Sequence, residues 1–159
     1  MSDFKVEFNS TSLQMLIKSI GGYRDWIDIL KKVVATVGLR DVSDHFRNKT
    51  GPMGSWPARS RATQAKYQRI KEGKEDPPEG TQRGWFSPNN QLLVLSGALR
   101  QGFLPSNIRK SSDAVTLFNP VEYAGKHDRG EGVTQRQFMW LSNSAMDNIE
   151  KGFVFTVMK

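Results

Sequence analysis

The sequence predicts an α+β domain, a small antiparallel sheet packed against two or three helices with long extended loops between them. Three observations carry that prediction. Phe4-Lys5-Val6-Glu7-Phe8 and Val115-Thr116-Leu117-Phe118 alternate with the two-residue period of strands. Leu13 to Val37 places apolar residues three and four apart, as a helix with one buried face does. Two stretches rich in glycine, proline and asparagine, Thr50–Pro57 and Glu72–Asn90, have neither period. A chain of 159 residues suits one domain, residues 1–159, with a loop-rich insertion at about 50–90.

Taken in order, the Phe4–Phe8 strand leads into Asn9-Ser10-Thr11-Ser12, any of which caps a helix by accepting an orphan backbone N–H. The apolar stripe Leu13, Leu16, Ile17, Ile20 breaks at Gly21-Gly22. It resumes at Ile27, Leu30, Val34 and Val37, predicting a second helix from about Tyr23 to His45 or Phe46. In the turn-rich Thr50–Pro57, Trp56 is expected to anchor the loop to the body, because its indole is too large to leave wet.

Arg59–Lys71 carries Arg59, Arg61, Lys66, Arg69 and Lys71 with no carboxylate. It reads as a solvated helix face or, alternatively, as a surface facing DNA. Glu72–Asn90 reads as a flexible loop, in which adjacent Trp85 and Phe86 must tuck back or meet a partner.

Leu92, Leu95, Leu99 and Phe103 are spaced for a short amphipathic helix, with Gly97 and Gly102 as its weak points. It delivers the Val115–Phe118 strand, which Asn119-Pro120 ends because proline has no N–H for the ladder. Glycines 125 and 130 are expected to let a Tyr123–Arg136 loop bend. Met139-Trp140-Leu141 is apolar enough for a strand. Ser142-Asn143-Ser144 then caps a helix starting at Ala145–Lys151, and Met146, Ile149, Phe153 and Val157 favour helix for the tail.

The net charge of +7 invites a nucleic-acid reading. The excess sits mostly in residues 49–90, where eight basic side chains face four acidic ones. There is no cysteine, hence no disulfide, no thiolate metal site and no cysteine nucleophile. No apolar run approaches the roughly 20 residues that span a bilayer, and Met1-Ser2-Asp3-Phe4-Lys5 lacks the pattern of a signal peptide.

His45 beside Asp44 at a helix end reads as a dipole partner or a core polar group. His127-Asp128 has the residue types for acid–base work but no nucleophile pattern around it. With no phosphate-binding glycine loop and no metal-ligand spacing, no catalytic, cofactor or metal residues are assigned.

The order of Gly51-Pro52-Met53-Gly54-Ser55-Trp56, Leu93-Val94-Leu95-Ser96-Gly97-Ala98-Leu99, Phe118-Asn119, Tyr123-Ala124, His127-Asp128-Arg129-Gly130 and Arg136-Gln137-Phe138 resembles the phage virion morphogenesis family. That family includes tail completion proteins of contractile-tailed phages and the Mu-like G protein. The likeness spans about Leu13 to Leu141. The chain departs from the pattern at Asp128, where the family usually has glutamine after the histidine. It departs again at Thr134-Gln135, where a proline usually precedes the arginine.

The resemblance implies a non-enzymatic virion protein, assembled in the bacterial host cytoplasm, that completes the tail or joins it to the head. Its expected partners are copies of itself in a ring, as in the hexamers of related terminators, then tail-tube or neck proteins and DNA in the channel, with no membrane. Trp56, Gly97, Leu99, Tyr123, Ala124, His127, Gly130 and Phe138 are then scaffold positions. Trp85, Phe86, Arg129 and Arg136 are candidate subunit contacts, and Arg59, Arg61, Lys66 and Arg69 are candidate DNA-facing residues.

Overall fold

A computed structural model describes residues 2–6, 26–86, 92–93, 97–111 and 114–158. Strand β5 (Val115–Asn119) lies at the centre of a three-stranded sheet, flanked by β1 (Ser2–Val6) and β4 (Ile108–Lys110). Both pairings are antiparallel, with Val6 opposite Val115, Ser2 opposite Asn119 and Ile108 opposite Leu117. This is the predicted α+β arrangement.

Helix α1 (Trp26–Asn48) is the spine. Ile27, Leu30, Val34, Gly38, Val42 and Phe46 recur at three- and four-residue spacing and are all buried, so a single stripe faces both the sheet and helix α5 (Asn143–Val157). From α5, Ala145, Ile149 and Phe153 bury the matching face, and the Phe153 ring meets Trp26 edge-on at 6.5 Å. Each such side chain withdrawn from water contributes about 1.5–3 kcal/mol, so the α1–α5 seam is a main source of stability.

In β5 the alternation predicted from sequence holds: Val115 and Leu117 face the core. Phe118, on the other face, is covered by the Arg109 guanidinium 3.8 Å from its ring.

The remaining elements are the β2–β3 hairpin (Thr50–Gly51 and Gly54–Ser55), α2 (Arg61–Lys71), α3 (Ala98–Gln101) and α4 (Ala124–Arg129). The Thr50–Pro57 stretch is thus a tight hairpin after α1. Trp56 anchors it as expected: the ring is 6% exposed, meets Phe46 edge-on at 5.6 Å, and its Nε1–H donates to the Gln137 carbonyl at 2.9 Å.

Several expectations change. The helix expected over Leu92–Phe103 is four residues long, because Leu93 (φ 59°) and Gly97 (φ 81°) both adopt left-handed backbone that a helix cannot contain. Val94–Ser96 lie outside the described residues. Glu72–Asn90, expected as a flexible loop, is held by side chains through Phe86. Arg83 donates to the Ile70 carbonyl at 2.7 Å, closing the C-terminal end of α2, and a 3₁₀ turn forms at Arg83–Trp85. The Tyr123–Arg136 loop contains α4, with Gly125 inside the helix, Gly130 (φ 76°) left-handed and ending it, and Gly132 (φ 69°) left-handed in the turn that follows. Strand β4 had no apolar alternation to announce it.

Met139-Trp140-Leu141 is not a strand. Its neighbourhood is pinned by carboxylates instead: Asp128 Oδ1 accepts the N–H groups of Phe138 and Met139, both at 2.9 Å, and Asp41 accepts the Ser142 N–H at 2.8 Å and its hydroxyl at 2.7 Å. Ser142 Oγ in turn accepts the Ala145 N–H, capping α5 as predicted, so α1 and α5 are joined through one cap. Helix α5 runs through the tail to Val157. Helix α1 extends two residues past Phe46, to Asn48. The expected helix over Leu13–Ile20, the start at Tyr23, and Glu7-Phe8 of the first strand lie outside the described residues. Among the described residues no helix is long and apolar enough to cross a membrane.

Candidate functional site

A cleft of about 790 Å³ opens where α2, the Arg83–Trp85 turn, α3, α4 and the 132–136 segment meet. Residues expected in three separate roles meet here: Arg59, Trp85, Leu99, Tyr123, His127 and Arg136 all line it. Among the described residues, no aspartate or glutamate does.

Arg136 forms the floor. It is buried, and its Nε and Nη2 donate to the carbonyls of Pro57 (3.1 Å) and Ala58 (3.4 Å). The expected subunit contact is therefore a cross-brace, because those carbonyls leave the hairpin with no strand partner and a guanidinium reaches both. Burial, then the nearby Arg59 charge, push the Arg136 pKa below the usual guanidinium value, with Tyr67 opposing. Arg59 lies over the Tyr67 ring at 5.0 Å.

His127, on α4, has Tyr123 edge-on at 6.0 Å one turn before it. Its Nδ1 is buried without a hydrogen-bond partner. Burial, then Arg136, lower its pKa, so the ring is neutral at physiological pH. Asp128, its neighbour in sequence, points instead to the Phe138 and Met139 N–H groups, so the two form no acid–base dyad.

Of the remaining assigned residues, Leu99, Ala124 and Phe138 are buried scaffold. Gly97 starts α3 and Gly130 ends α4. Phe86, expected as a subunit contact, is 3% exposed and packs edge-on against Tyr67 at 5.1 Å. It tucks back because α2 offers an aromatic face there, while Trp85 stays half-buried at the cleft wall. Arg129 is exposed and paired with Glu131.

The basic run does not present one cationic surface. Lys66 and Arg69 both reach Glu75, at 3.6 and 3.0 Å, Arg59 turns into the cleft, and Arg61 is exposed at the start of α2. Glu75 follows the run in sequence, but nothing in their spacing announced that the chain folds back to place it there.

His45 is a core polar group. Its ring stacks on Trp140 at 4.3 Å, and Nε2 lies 3.3 Å from both the Trp140 carbonyl and Asp41. Two acceptors facing Nε2 place the proton there. Burial lowers its pKa against the opposing pull of Asp41. Among the described residues no three His, Asp or Glu side chains converge as a metal site would require.

Comparison with family models, with characterised proteins and with solved structures finds no match to this chain. The family resemblance rests on the order and spacing of its short motifs.

Proposed function

We propose that this chain is a structural phage virion protein that completes or terminates the tail and joins it to the head, acting as a ring of identical copies. One observation carries the reading. Described residues from the motifs that resemble the virion morphogenesis family, scattered from Trp56 to Gln137, brace one another or the chain beside them. Trp56 is bonded to Gln137, Arg136 to Pro57 and Ala58, and Asn119 to Leu99. Spacing that builds one supporting framework is what a shared fold requires of such motifs, and their chemistry there is bracing rather than proton transfer. The tail-tube or neck would bind this ring, with DNA passing through its axis.

Electron micrographs of particles made without the gene should contain unjoined or overlong tails. Normal, infectious particles would overturn the proposal. The second reading, a basic nucleic-acid-binding module, draws on Arg59, Arg61, Lys66 and Arg69, and the Glu75 pairing of two of these four reduces the charge available to phosphates. Changing all four to alanine should flatten the salt dependence of DNA binding if that reading holds. A wild-type chain that binds no DNA at low salt removes it.

A further inference from the structure

Among the described residues Arg136 is the single arginine or lysine that is buried, at 8% exposed. A charge taken out of water needs an opposite charge or a full set of hydrogen bonds. Arg136 has neither in full. Its Nε and Nη2 form one edge of the guanidinium and donate to the Pro57 and Ala58 carbonyls, which supply only partial charge. The other groups that bear on its charge are Arg59, which opposes it, and the Tyr67 hydroxyl, which favours it. No carboxylate among the described residues pairs with it. Nη1 bonds to no described residue, yet it is not sealed from solvent, so it opens on the cleft that Arg136 lines. With the second hydrogen of Nη2 it makes the end-on edge of the guanidinium, whose two parallel N–H groups match the two oxygens of a carboxylate.

Around that edge the lining is apolar and aromatic, with Leu92, Leu93, Leu99, Tyr123 and Val133 among it, and Tyr123 and Val133 remain 42% and 41% exposed. Wet apolar surface beside a half-satisfied guanidinium is the pattern of an anchor pocket, where tyrosine and arginine are enriched. The volume of about 790 Å³ lies within the range of about 300–1,000 Å³ typical of clefts that enclose small ligands, so it has room for a few side chains and not for a folded element. A nucleic-acid strand carries a phosphate at every residue and needs cations in a row. Lys66 and Arg69 are held by Glu75 and do not line the cleft, and Arg59 is already engaged over the Tyr67 ring. One open guanidinium edge set in an apolar wall favours a peptide carboxylate instead.

We propose that the cleft docks a short segment of another protein, in which a carboxylate meets the open edge of Arg136 and a neighbouring aromatic or aliphatic side chain packs against Leu92, Leu93 and Val133. The site goes beyond the tail reading, since one copy of the chain builds the cleft and any partner presenting this pair of groups would fit. His127 reports on its occupancy. Arg136 helps to keep that ring neutral, so a carboxylate bound to Arg136 lets the ring take up a proton at a higher pH.

Tripeptides blocked at both ends, with aspartate or glutamate between phenylalanine, tyrosine, tryptophan or leucine, supply the probes, each paired with its asparagine or glutamine counterpart. In amide NMR spectra of the full chain, acidic members at about 1 mM should shift Val133, Thr134 and Arg136. They should bind about tenfold more tightly than their neutral counterparts, because the carboxylate makes charge-assisted bonds that an amide cannot. Bound peptide should also raise the pH at which the His127 ring titrates, which an Arg136 serving only as a brace would not allow. Arg136→Ala should abolish the acidic preference, but it also breaks the brace to Pro57 and Ala58. Val133→Asp, at an exposed position, should keep the wild-type melting temperature and weaken every acidic peptide by repulsion. The proposal is overturned if no acidic peptide shifts these amides, if neutral peptides bind equally well, or if Val133→Asp binds as the wild type does. It is also overturned if a short thymidine strand shifts them where no acidic peptide does, since the anion taken is then a phosphate. Normal particles made without the gene would end the tail reading and leave a measured peptide site untouched.

Discussion

Replacing Trp56 with alanine removes an indole that is 6% exposed, sits edge-on against Phe46, and donates a 2.9 Å hydrogen bond to Gln137. Truncation of a buried aromatic costs about 3–5 kcal/mol, from lost transfer energy and the cavity left behind. In a chain of this length each kcal/mol moves the melting temperature by about 2–4 °C, so Trp56→Ala should melt about 6–20 °C lower. Trp56→Phe keeps most of the ring and loses the N–H, separating the hydrogen bond, worth about 1 kcal/mol, from the packing. Calorimetry or circular dichroism of the three proteins gives both terms. A Trp56→Ala protein melting within about 2 °C of wild type would refute the anchoring role, because no buried indole is lost so cheaply.

Three further outcomes are expected. Asp128→Ala leaves the Phe138 and Met139 N–H groups without their carboxylate and should cost about 2–4 kcal/mol, read from denaturant midpoints; an unchanged midpoint would show that the segment docks without it. Gly102→Ala drives a methyl into the Asn119 amide in a buried site, and should destabilise by about 1–3 kcal/mol in the same assay; a neutral effect would mean that Asn119 moves freely. His45 and His127 both titrate below the unfolded value near 6.5, so below that pH the unfolded chain takes up protons that the folded one refuses. Stability is complete above about pH 6.5 and falls as the pH drops below it; His45→Gln with His127→Gln should flatten the decline, and a wild-type melting temperature constant from about pH 7 to 5.5 would contradict both assignments.

Elements with their own period were legible in the sequence. The β5 alternation, the α1 stripe and the serine cap of α5 each depend on neighbours within a few residues; the burial of Trp56 was legible from its size alone, although its partners Phe46 and Gln137 are distant in sequence. Arg136 was not legible, because its partners are carbonyls of Pro57 and Ala58, 79 and 78 residues away, and any residue type presents a carbonyl. The short α3 was misread because leucine spacing outweighed the left-handed turn at Leu93, a conformation that leucine rarely adopts. The cleft is drawn from five separate pieces of chain, and only the lack of carboxylates in Arg59–Lys71 pointed toward it.

The segment from Arg136 to Ser142 touches partners far back along the chain: Trp56 at a separation of 81 residues, His45 at 95 and Asp41 at 101. During synthesis, α1 leaves the ribosome with its apolar stripe uncovered, long before the residues that will cover it have been made. Closing loops of that size is entropically slow and comes late. The nascent chain therefore passes through a stage with a finished helix and no lid, and its risk of aggregation is concentrated there. Folding yield should depend more on Asp41, Asp128 and Arg136, which capture the late segment, than on residues within α1 itself.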